Sequence, residues 1–399
     1  MLDAYIYDGA RTAFGKYCGA LAPVRPDDLA AAVIKALVER NSFDPLLIDD
    51  VILGCACQSG EDSRNVARYA SLLAGLPVEV SGQTVNRLCG SSLAAILDSA
   101  RAITCGEGEV FIAGGVESMT RAPLTLNKAG SAFSKDIKIY DSAIGVRFPN
   151  PKIGKQYGHE AMPQTADNVA KAEDISREQC DQFALASQEK WASATKNGYF
   201  SEEIIAVNIP QKRGKDDVVV ENDEHPRASS LEKMATMRAL FEGGVVTAAN
   251  ASGVNDGAAA VLLGSRGFGE QHDLQPIARV LGGATAGIEP SMMGLGPVPA
   301  CRKILKRLGL TLEQMDVIEI NEAFAAQVLG NLKQLGLAED DPRVNPNGGA
   351  IAAGHPLGAS GARIALTAAR QLQRTGGRYA LISMCVGVGQ GIAMVIERS

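Results

Sequence analysis

The sequence predicts an α/β protein built from two similar halves, and three observations support this. Apolar, strand-like runs such as DVILGCA and VFIAGGV alternate with amphipathic helical patterns such as RPDDLAAAVIKALVER. This alternation predicts buried, largely parallel strands with helices packed against them. The same order of elements occurs twice along the chain, and a long polar stretch interrupts the first copy.

The repeat becomes visible when Gly90 is set against Gly358. In the first copy the elements are IDDVILGCA, CGSSLAAILDSARAI and EVFIAGGVES, and in the second MDVIEINEAF, LGASGARIALTAARQL and YALISMCVGVGQG. Each copy is therefore a strand, a loop, a helix and a strand. Any two amphipathic βα segments look somewhat alike, so chance similarity is the alternative to a duplication.

This pattern divides the chain into three units. We expect an N-terminal half made of residues 1–121 together with 248–271, an inserted lobe at 122–247, and a C-terminal half at 272–399. The inserted stretch contains the only Trp and the helical segment EDISREQCDQFALASQEKWASATKNG, in which Ser176 and Gln179 have the spacing of a capping box.

Composition narrows the classes of function. Hydrophobic residues make up 46% and charged residues 21% of the 399, as in an ordinary soluble enzyme. A net charge of −6 without a basic run gives no electrostatic footprint for nucleic acid. No stretch approaches the roughly 18 apolar residues that span a bilayer, and no signal-peptide pattern is present. Eight dispersed cysteines favour a reducing compartment, so we expect a cytoplasmic protein without membrane partners.

Cys89 is the first candidate for chemistry. It follows the strand-like SGQTVNRL and precedes a helix that begins GSSLAAI. The free N–H groups and the positive dipole at a helix start favour the thiolate, which is the nucleophilic form. The alternative is a buried structural cysteine, the more common role of an isolated Cys.

His355 supplies a partner for that thiol. The other three of the four histidines lie in polar, loop-like surroundings, whereas His355 lies in NGGAIAAGHPLGASGA at the start of a helix. The repeat matches Cys89 with Leu357, so a pseudo-twofold relation would bring the thiol and the imidazole to facing helix starts. A Cys–His pair is the minimum for nucleophilic catalysis. The alternative is a histidine satisfied by backbone groups in a tight turn.

Two further polar positions follow buried strands late in the chain. Cys385 lies in SMCVGVGQG, which we expect to be a Gly-rich loop between strands, where a thiol can act as acid or base beside oxyanion-binding N–H groups. A strand and not a helix follows these glycines, so the segment is not a dinucleotide-binding fingerprint. Asn321 and Glu322 follow the strand-like VIEI, at the end where α/β sheets bind ligands. Asn321 could equally cap the next helix. The cysteines do not have zinc-site spacing.

Taken together, these segments resemble the thiolase superfamily over nearly the whole chain. The motifs that carry the resemblance are NRLCGSS, GGVESM, NASGVNDGAA, INEAFAAQ, GGAIAAGHPLGASGAR and MCVGVGQG. The resemblance implies duplicated βαβαβαββ halves that form a five-layer α/β/α/β/α core with an inserted loop domain. It also implies an acyltransferase that uses CoA thioesters.

The resemblance assigns roles to particular residues. Cys89 would be acylated by a 3-oxoacyl-CoA, and Cys385 would move protons to and from the α-carbon of acetyl-CoA. His355 would activate the nucleophile and, with a water held by Asn321, bind a thioester oxygen. A second oxyanion hole would use the backbone N–H groups of Cys89 and Gly387.

In the same family, CoA contacts come from the loop domain and the NASG segment. On this chain they map onto Ser252, Met162, Arg227, Phe241 and Phe324. CoA and acyl-CoA would be the substrates and partners, no metal or tightly bound cofactor would be needed, and the chain would form a homodimer or homotetramer.

Several stretches look most like degradative members of the family that act on 3-oxoadipyl-CoA in aromatic breakdown. These are GEDSRNVAR, VRFPNPKIGKQYG and MPQTADNVA, and Ala161 stands where short-chain biosynthetic members have His. A substrate with a terminal carboxylate needs a cation, and the candidates are Arg64, Arg68, Arg87 and Arg147. Ser92, where many members have Gly, is expected to narrow the space near the acyl chain.

Three alternatives remain for the function. The nearest is an acetyl-CoA C-acetyltransferase or a fatty-acid 3-oxoacyl-CoA thiolase of β-oxidation. A decarboxylating condensing enzyme of the same fold typically pairs its Cys with two His or with His and Asn, so Cys385 argues against it. A non-catalytic CoA- or lipid-binding protein of this fold is the alternative from another class, and the full set of reactive residues argues against it.

Overall fold

A computed structural model describes residues 1–62, 64–211 and 214–399. The strands are β1 (Ala4–Thr12), β2 (Gly15–Lys16), β3 (Asp50–Gly54), β4 (Ser81–Val85), β5 (Val110–Ser118), β6 (Leu124–Leu126), β7 (Ile139–Asp141), β8 (Ile204–Ile205), β9 (Val207–Ile209), β10 (Val218–Val220), β11 (Asn255–Gly264), β12 (Ala278–Gly287), β13 (Val317–Ile320), β14 (Tyr379–Val386) and β15 (Gln390–Arg398). The helices are α1 (Pro26–Arg40), α2 (Val66–Leu73), α3 (Ser91–Cys105), α4 (Pro151–Tyr157), α5 (Met162–Glu173), α6 (Arg177–Lys196), α7 (Leu231–Ala235), α8 (Arg266–Gln271), α9 (Pro297–Leu308), α10 (Ala325–Leu335), α11 (Ala350–Ala353) and α12 (Leu357–Thr375). Within these residues, no helix is both long enough and apolar enough to cross a membrane.

A mixed sheet runs through both halves, in the order β13-β14-β15-β12-β1-β11-β5-β3-β4. Strand β3 is parallel to β4 and β5, and β13 is parallel to β14, whereas the remaining neighbours in this order are antiparallel. The expectation of a largely parallel sheet is therefore wrong. The reason is that each half ends with a strand that folds back on the strand before it. Strand β15 does so on β14 across a short turn, and β11 does so on β5 after the inserted segment.

The two halves of the sheet have the same topology, which confirms the duplication. From the junction outward, the first half runs β1, β11, β5, β3 and the second runs β12, β15, β14, β13. Gly54 on β3 is paired with Gly115 on β5, and Ile320 on β13 with Ser383 on β14. The separation between Gly115 and Ser383 along the chain equals that between Gly90 and Gly358, so the register agrees with the sequence repeat.

Helices α3 and α12 lie side by side between the two half-sheets and contact strands of both. Gly361 of α12 permits close packing, because a Cβ there would lie 2.6 Å from the backbone nitrogen of Leu93 in α3. Helices α1 and α2 cover the outer face of the first half-sheet, and α9 and α10 cover that of the second, each with its own apolar cluster. The arrangement is the five-layer α/β/α/β/α core that the resemblance implied.

The segment between β5 and β11 is joined to the core by a buried ion-pair network. Arg11 on β1 donates to both carboxylate oxygens of Asp223 at 2.7 and 3.0 Å and to Glu203 at 3.3 Å. The predicted capping box at α6 is confirmed, because Ser176 Oγ accepts the Gln179 N–H at 3.1 Å and Gln179 Oε1 accepts the Ser176 N–H at 2.8 Å. The boundaries proposed for the three units stay a prediction.

Candidate active site

Cys89 lies between β4 and α3, just before the first turn of the helix. Leu88 has a positive φ of 47°, so the backbone turns sharply into the cysteine. The sulfur is partly buried, and the nearby N–H groups of Gly387 and of Cys89 itself favour its thiolate form. Burial outweighs the N–H groups that favour the thiolate, and it raises the pKa of the Cys89 thiol to about 11. The helix start does favour the thiolate, as expected, but burial has the larger effect, so Cys89 needs a base.

Cys385 is close enough to Cys89 for a Cys89 thiolate to disfavour ionisation of Cys385. Together with burial in an apolar cluster, this raises the pKa of the Cys385 thiol well above its usual value. Cys385 pairs with Gly391 and belongs to β14, so its placement in a loop was wrong. The strand extends further than its apolar run because β15 continues to pair with it. The resulting neutral thiol can hold and release a proton.

His355 is buried at the start of α12. Its Nε2 lies 3.4 Å from Asn321 Nδ2, its Nδ1 lies 2.6 Å from Ser360 Oγ, and its backbone N–H donates to Asn255 Oδ1 at 2.9 Å. Burial and the positive charge of Arg363 lower the pKa of His355 to about 3. The ring is therefore neutral at physiological pH and has the form that can accept a proton.

Asn321 follows β13 directly, and its N–H donates to the carbonyl of Ser383 on β14 at 3.0 Å. Helix α10 begins only at Ala325, with Phe324 at the N-cap position, so the helix-cap interpretation of Asn321 is wrong. The side chain is 1% exposed, and its Oδ1 has no hydrogen-bond partner among the described residues. An unsatisfied buried acceptor of this kind fits a bound water, the role that the resemblance implied.

Three of the expected CoA contacts lie on segments next to Cys385 and Gly387. Phe324 packs against Cys385 in a small apolar cluster. The Ser252 N–H donates to the Ala323 carbonyl at 2.9 Å, which places the NASG segment beside the NEAF segment. Met162 begins α5, and its sulfur lies 3.9 Å from where a Cβ on Gly387 would be. We call these three segments, which lie next to Cys385 and Gly387, the rim.

The other two expected contacts lie further out. Arg227 is exposed, and its Nη2 donates to the carbonyl of Ala248, just before the NASG segment, at 2.6 Å. Phe241 instead lines an open cavity of about 710 Å³ together with Gln164 and Lys171 of α5. Arg227 is thus next to the rim, whereas Phe241 belongs to a neighbouring surface.

Ser92 does not have the position expected for it. It is fully buried, and its Oγ accepts the N–H of Ala362 at 2.9 Å. The hydroxyl therefore links α3 to α12. The expectation that it narrows the acyl site is wrong, because a fully buried hydroxyl held between two helices does not line a site that is open to substrate.

Sequence reasoning missed Glu117. This buried carboxylate accepts the N–H groups of Ala56 at 2.9 Å, Cys57 at 3.0 Å and Gly358 at 2.9 Å. It thereby joins the loop after β3 to the first turn of α12. The argument applied to Asn321, a polar residue at the carboxyl end of a buried strand, would also have identified it.

Glu322 was noticed only as a neighbour of Asn321. It accepts hydrogen bonds from Ser187 at 2.6 Å, Asn345 at 2.9 Å and the Ile351 N–H at 3.1 Å. Through these bonds it fixes α6 and α11 around the Gly-rich segment that leads to His355. The INEAF motif contained the residue, but not the distant partners that give it this role.

A partly buried thiol, a second thiol beside it, a neutral imidazole and an unsatisfied amide together define a site for cysteine-dependent acyl transfer. Among residues 1–62, 64–211 and 214–399, no group of three His, Cys, Asp or Glu side chains could hold a metal ion.

Comparison with known proteins agrees with this class. The thiolase N-terminal domain family matches residues 4–267, and the thiolase C-terminal domain family matches residues 274–398. The chain therefore belongs to the thiolase family. It is 58% identical over 401 residues to the beta-ketoadipyl-CoA thiolase of Acinetobacter baylyi, with 100% of both chains covered. It is 57% identical over 403 residues to the 3-oxoadipyl-CoA/3-oxo-5,6-dehydrosuberyl-CoA thiolase of Escherichia coli, also with 100% of both covered.

A solved structure with bound ligand is also similar. Human mitochondrial 3-ketoacyl-CoA thiolase in complex with CoA superimposes with a TM-score of 0.91 at 39% identity, covering 100% of this chain and 98% of that chain. The fold and the enzyme class predicted from the sequence are confirmed.

Proposed function

We propose that this protein cleaves a 3-oxoacyl-CoA with CoA to give acetyl-CoA and a shortened acyl-CoA. The observation that carries the proposal is that two thiols, the partly buried Cys89 and the buried Cys385, lie near each other. The residues that follow them are packed together, because a Cβ on Gly90 would lie 2.9 Å from Val386. Thiolysis breaks a carbon–carbon bond, so one group must carry the acyl fragment while another protonates the released carbanion.

In the first step, His355 takes the proton of Cys89, and the thiolate attacks the C3 carbonyl of the substrate. Proton transfer to a neutral imidazole is required because the pKa of the thiol is raised to about 11. Collapse of the tetrahedral adduct breaks the C2–C3 bond and leaves its electron pair on C2 as the acetyl-CoA enolate. Cys385 gives its proton to C2, and acetyl-CoA leaves. The acyl group remains on Cys89 as a thioester.

In the second step, the Cys385 thiolate takes the proton of a CoA thiol, and the CoA thiolate attacks the acyl-enzyme. The shortened acyl-CoA leaves, and the expelled Cys89 thiolate takes its proton back from His355. N–H donors placed around the thioester oxygen stabilise its negative charge in both steps, and each such donor is typically worth about 3 kcal/mol. Every proton and electron pair in this cycle is accounted for by the protein and its two CoA substrates. We therefore propose that no bound cofactor or metal takes part.

The acyl group is proposed to be 3-oxoadipyl, in the breakdown of aromatic compounds. Support comes from high identity over the full length to relatives named for this substrate, and from the degradative-type segments of the sequence. The physiological direction is then cleavage and not condensation.

The four arginines proposed to bind the substrate carboxylate differ in whether their guanidinium groups already have hydrogen-bond partners. Arg68 is bound to the carbonyls of Val78 and Val80, and Arg147 to Ser59 and the Cys57 carbonyl. Arg64 is exposed. The guanidinium of Arg87 has no hydrogen-bond or ion-pair partner among the described residues, and its Nε is buried. We propose Arg87, two residues before Cys89, as the first to test.

The experiment compares kcat/KM for CoA-dependent cleavage of 3-oxoadipyl-CoA, 3-oxohexanoyl-CoA and acetoacetyl-CoA. The first two have the same number of acyl carbons and differ in the terminal carboxylate, so their ratio measures recognition of that charge. We expect 3-oxoadipyl-CoA to be preferred by at least about tenfold over both. Arg87→Gln should reduce this preference, whereas Arg68→Gln should not. A tenfold preference for acetoacetyl-CoA would contradict the assignment.

We also propose that the protein is a homo-oligomer in the cytoplasm. Strands β6 and β7 form a separate two-stranded ribbon that exposes Leu124, Leu126 and Ile139, and Ile137 just before β7 is exposed as well. An apolar patch of this kind suits a second copy of the chain. All eight cysteines are unpaired, as expected in a reducing compartment. Light scattering on the wild type and on Leu126→Glu tests the assembly, and an unchanged mass for the variant would exclude this ribbon as the interface.

A further inference from the structure

Ser360 lies one turn into α12 and contacts the ring nitrogen of His355 that faces away from Asn321. Its Oγ is 2.6 Å from His355 Nδ1 and 2.9 Å from the carbonyl oxygen of Pro356. Ser360 and His355 are 0% and 4% exposed, so no bulk water competes for these bonds. The hydroxyl therefore lies between the Pro356 carbonyl, which can only accept a hydrogen bond, and His355 Nδ1, which can either donate or accept one.

The positions of the protons follow from these partners. A serine hydroxyl has one proton to donate and lone pairs to accept with. The Pro356 carbonyl accepts only, so the Ser360 proton points to it and the Ser360 oxygen accepts from His355. The proton of the neutral imidazole then lies on Nδ1. On the other side of the ring, Asn321 Nδ2 lies 3.4 Å from Nε2 as a donor, which requires a lone pair there.

We propose that Ser360 is a positioning residue that holds His355 in the tautomer protonated on Nδ1 and so leaves Nε2 free to take the proton of Cys89. This rests on the proposed function, in which His355 is the base. When Nε2 receives that proton, Ser360 still accepts the Nδ1 proton and now stabilises an imidazolium. Neither the ring nor the serine has to reorganise during the transfer.

A serine that only completes the backbone of α12 would have the same bond to Pro356. Such a back-bond to the carbonyl four residues earlier is common in helices and requires nothing of the histidine. The two roles differ in one respect. Loss of a structural hydroxyl changes stability, whereas loss of a positioning hydroxyl changes which nitrogen of His355 carries the proton.

The chain contains a matched control. Ser92 is also fully buried, also lies in a central helix, and its hydroxyl also bonds to backbone, at the Ala362 N–H. Ser92→Ala removes the same atoms as Ser360→Ala without touching the histidine. Ser360→Thr keeps the hydroxyl and should restore what Ser360→Ala loses.

The test is ¹⁵N NMR of the imidazole nitrogens in the intact protein labelled at histidine, with His355→Asn used to assign the signals. The wild type should show Nδ1 as the protonated nitrogen and Nε2 as the free one, and Ser92→Ala and Ser360→Thr should show the same. Ser360→Ala should give a mixture of tautomers. Protonation of Nε2 in the wild type, or an unchanged spectrum in Ser360→Ala, would overturn the proposal.

The rate of Cys89 acylation, followed as CoA release in a single turnover, provides the second readout. Ser360→Ala should lower this rate by about 10- to 100-fold, as the loss of an orienting partner typically does. Ser360→Thr should recover most of it, and Ser92→Ala should stay within about twofold. An equal loss in Ser360→Ala and Ser92→Ala would overturn the positioning role. A wild type with the expected tautomer but without thiolysis would instead contradict the proposed function alone.

Discussion

The two half-sheets end differently at equivalent positions, and the difference explains where the chemistry is. In the second half, Asn321 and Cys385 stand at the carboxyl ends of β13 and β14. The pairings of Gly54 with Gly115 and of Ile320 with Ser383 make Cys55 the counterpart of Asn321, and Glu117 the counterpart of Cys385. The same backbone therefore presents an amide and a thiol in one half, and a thiol and a carboxylate in the other.

At the carboxyl ends of β3 and β5, in the first half, the polar side chains Cys55 and Glu117 have hydrogen-bond partners. Both oxygens of Glu117 accept backbone N–H groups, and the Cys55 sulfur lies 3.6 Å from Glu117. At the second end, the Asn321 Oδ1 has no partner, and Cys385 has another thiol as its neighbour. The comparison teaches that the duplicated scaffold makes two such ends, and that the proposed chemistry falls at the one with an unsatisfied buried acceptor.

Replacing the proposed nucleophile, Cys89, should give the largest difference in activity from a matched change at the other end of the scaffold. Cys89→Ala should lower kcat for thiolysis by about 10⁴-fold or more, because no acyl-enzyme can form. Cys55→Ala, at the carboxyl end of β3, is the matched control and should retain activity within about threefold. Steady-state assays of both variants measure this, and similar losses would mean that the first end also takes part.

Cys385→Ser separates the two partial reactions. A serine hydroxyl is a much weaker acid than a thiol, so thiolysis should fall by about 10³-fold. Acylation of Cys89 from a reactive acyl-CoA should fall by no more than about tenfold. Steady-state turnover measures the first reaction and single-turnover CoA release the second. Equal losses in both would contradict the division of roles between the cysteines.

Glu117→Gln tests whether the hydrogen bonds of Glu117, in the first half of the sheet, stabilise the fold. The amide keeps only one acceptor oxygen for three N–H groups, so the free energy of unfolding should fall by about 2 kcal/mol. Burial raises the pKa of Glu117 to about 7 in the folded protein, above its unfolded value. The wild type should therefore lose stability as pH rises from 5 to 8, and Glu117→Gln should lose less over the same range.

Urea denaturation of both proteins at several pH values measures this difference, with the exposed Glu189→Gln as the control. Parallel pH dependences for the wild type and Glu117→Gln would show that Glu117 does not titrate in this range.

The smallest expected effect is that of pH on the rate of Cys89 acylation, which depends on the protonation state of His355. Its pKa is lowered to about 3, so the imidazole stays neutral between pH 6 and 8, while the Cys89 thiol, with its pKa raised to about 11, stays protonated. The rate of acylation should therefore change by less than about twofold across that range. Single-turnover rates at several pH values measure it. A fall in rate toward low pH with a midpoint near 6.5 would show that His355 titrates as an exposed histidine does.

Much of the fold and of the site could be predicted from the sequence, because the determining signals are local. Periodicity marked strands such as β3 and β5 and helices such as α3 and α12, and the repeat paired them correctly. The identities of Cys89, His355 and Cys385 followed from their positions next to these elements. The repeat also predicted that Cys89 and His355 lie at facing helix starts, and the helices that follow them, α3 and α12, do lie side by side.

What could not be predicted depends on residues far apart in the chain. The raised pKa of Cys89 arises from burial by both halves, and the contacts of Glu117 join β5 to α12, 241 residues away. The direction of the Ser92 side chain and the length of β14 also depend on packing and pairing partners. A pattern within ten or twenty residues contains none of this information.

The most direct test of the account is to map the acyl group after the wild-type protein is mixed with acetyl-CoA and quenched in acid. Peptide mass spectrometry then reads the acetyl mass on each of the eight cysteines. The account predicts an adduct on the Cys89 peptide and none on the peptides of Cys55 or Cys385. An adduct on either of those, or unmodified Cys89 in an enzyme that turns over, would contradict it.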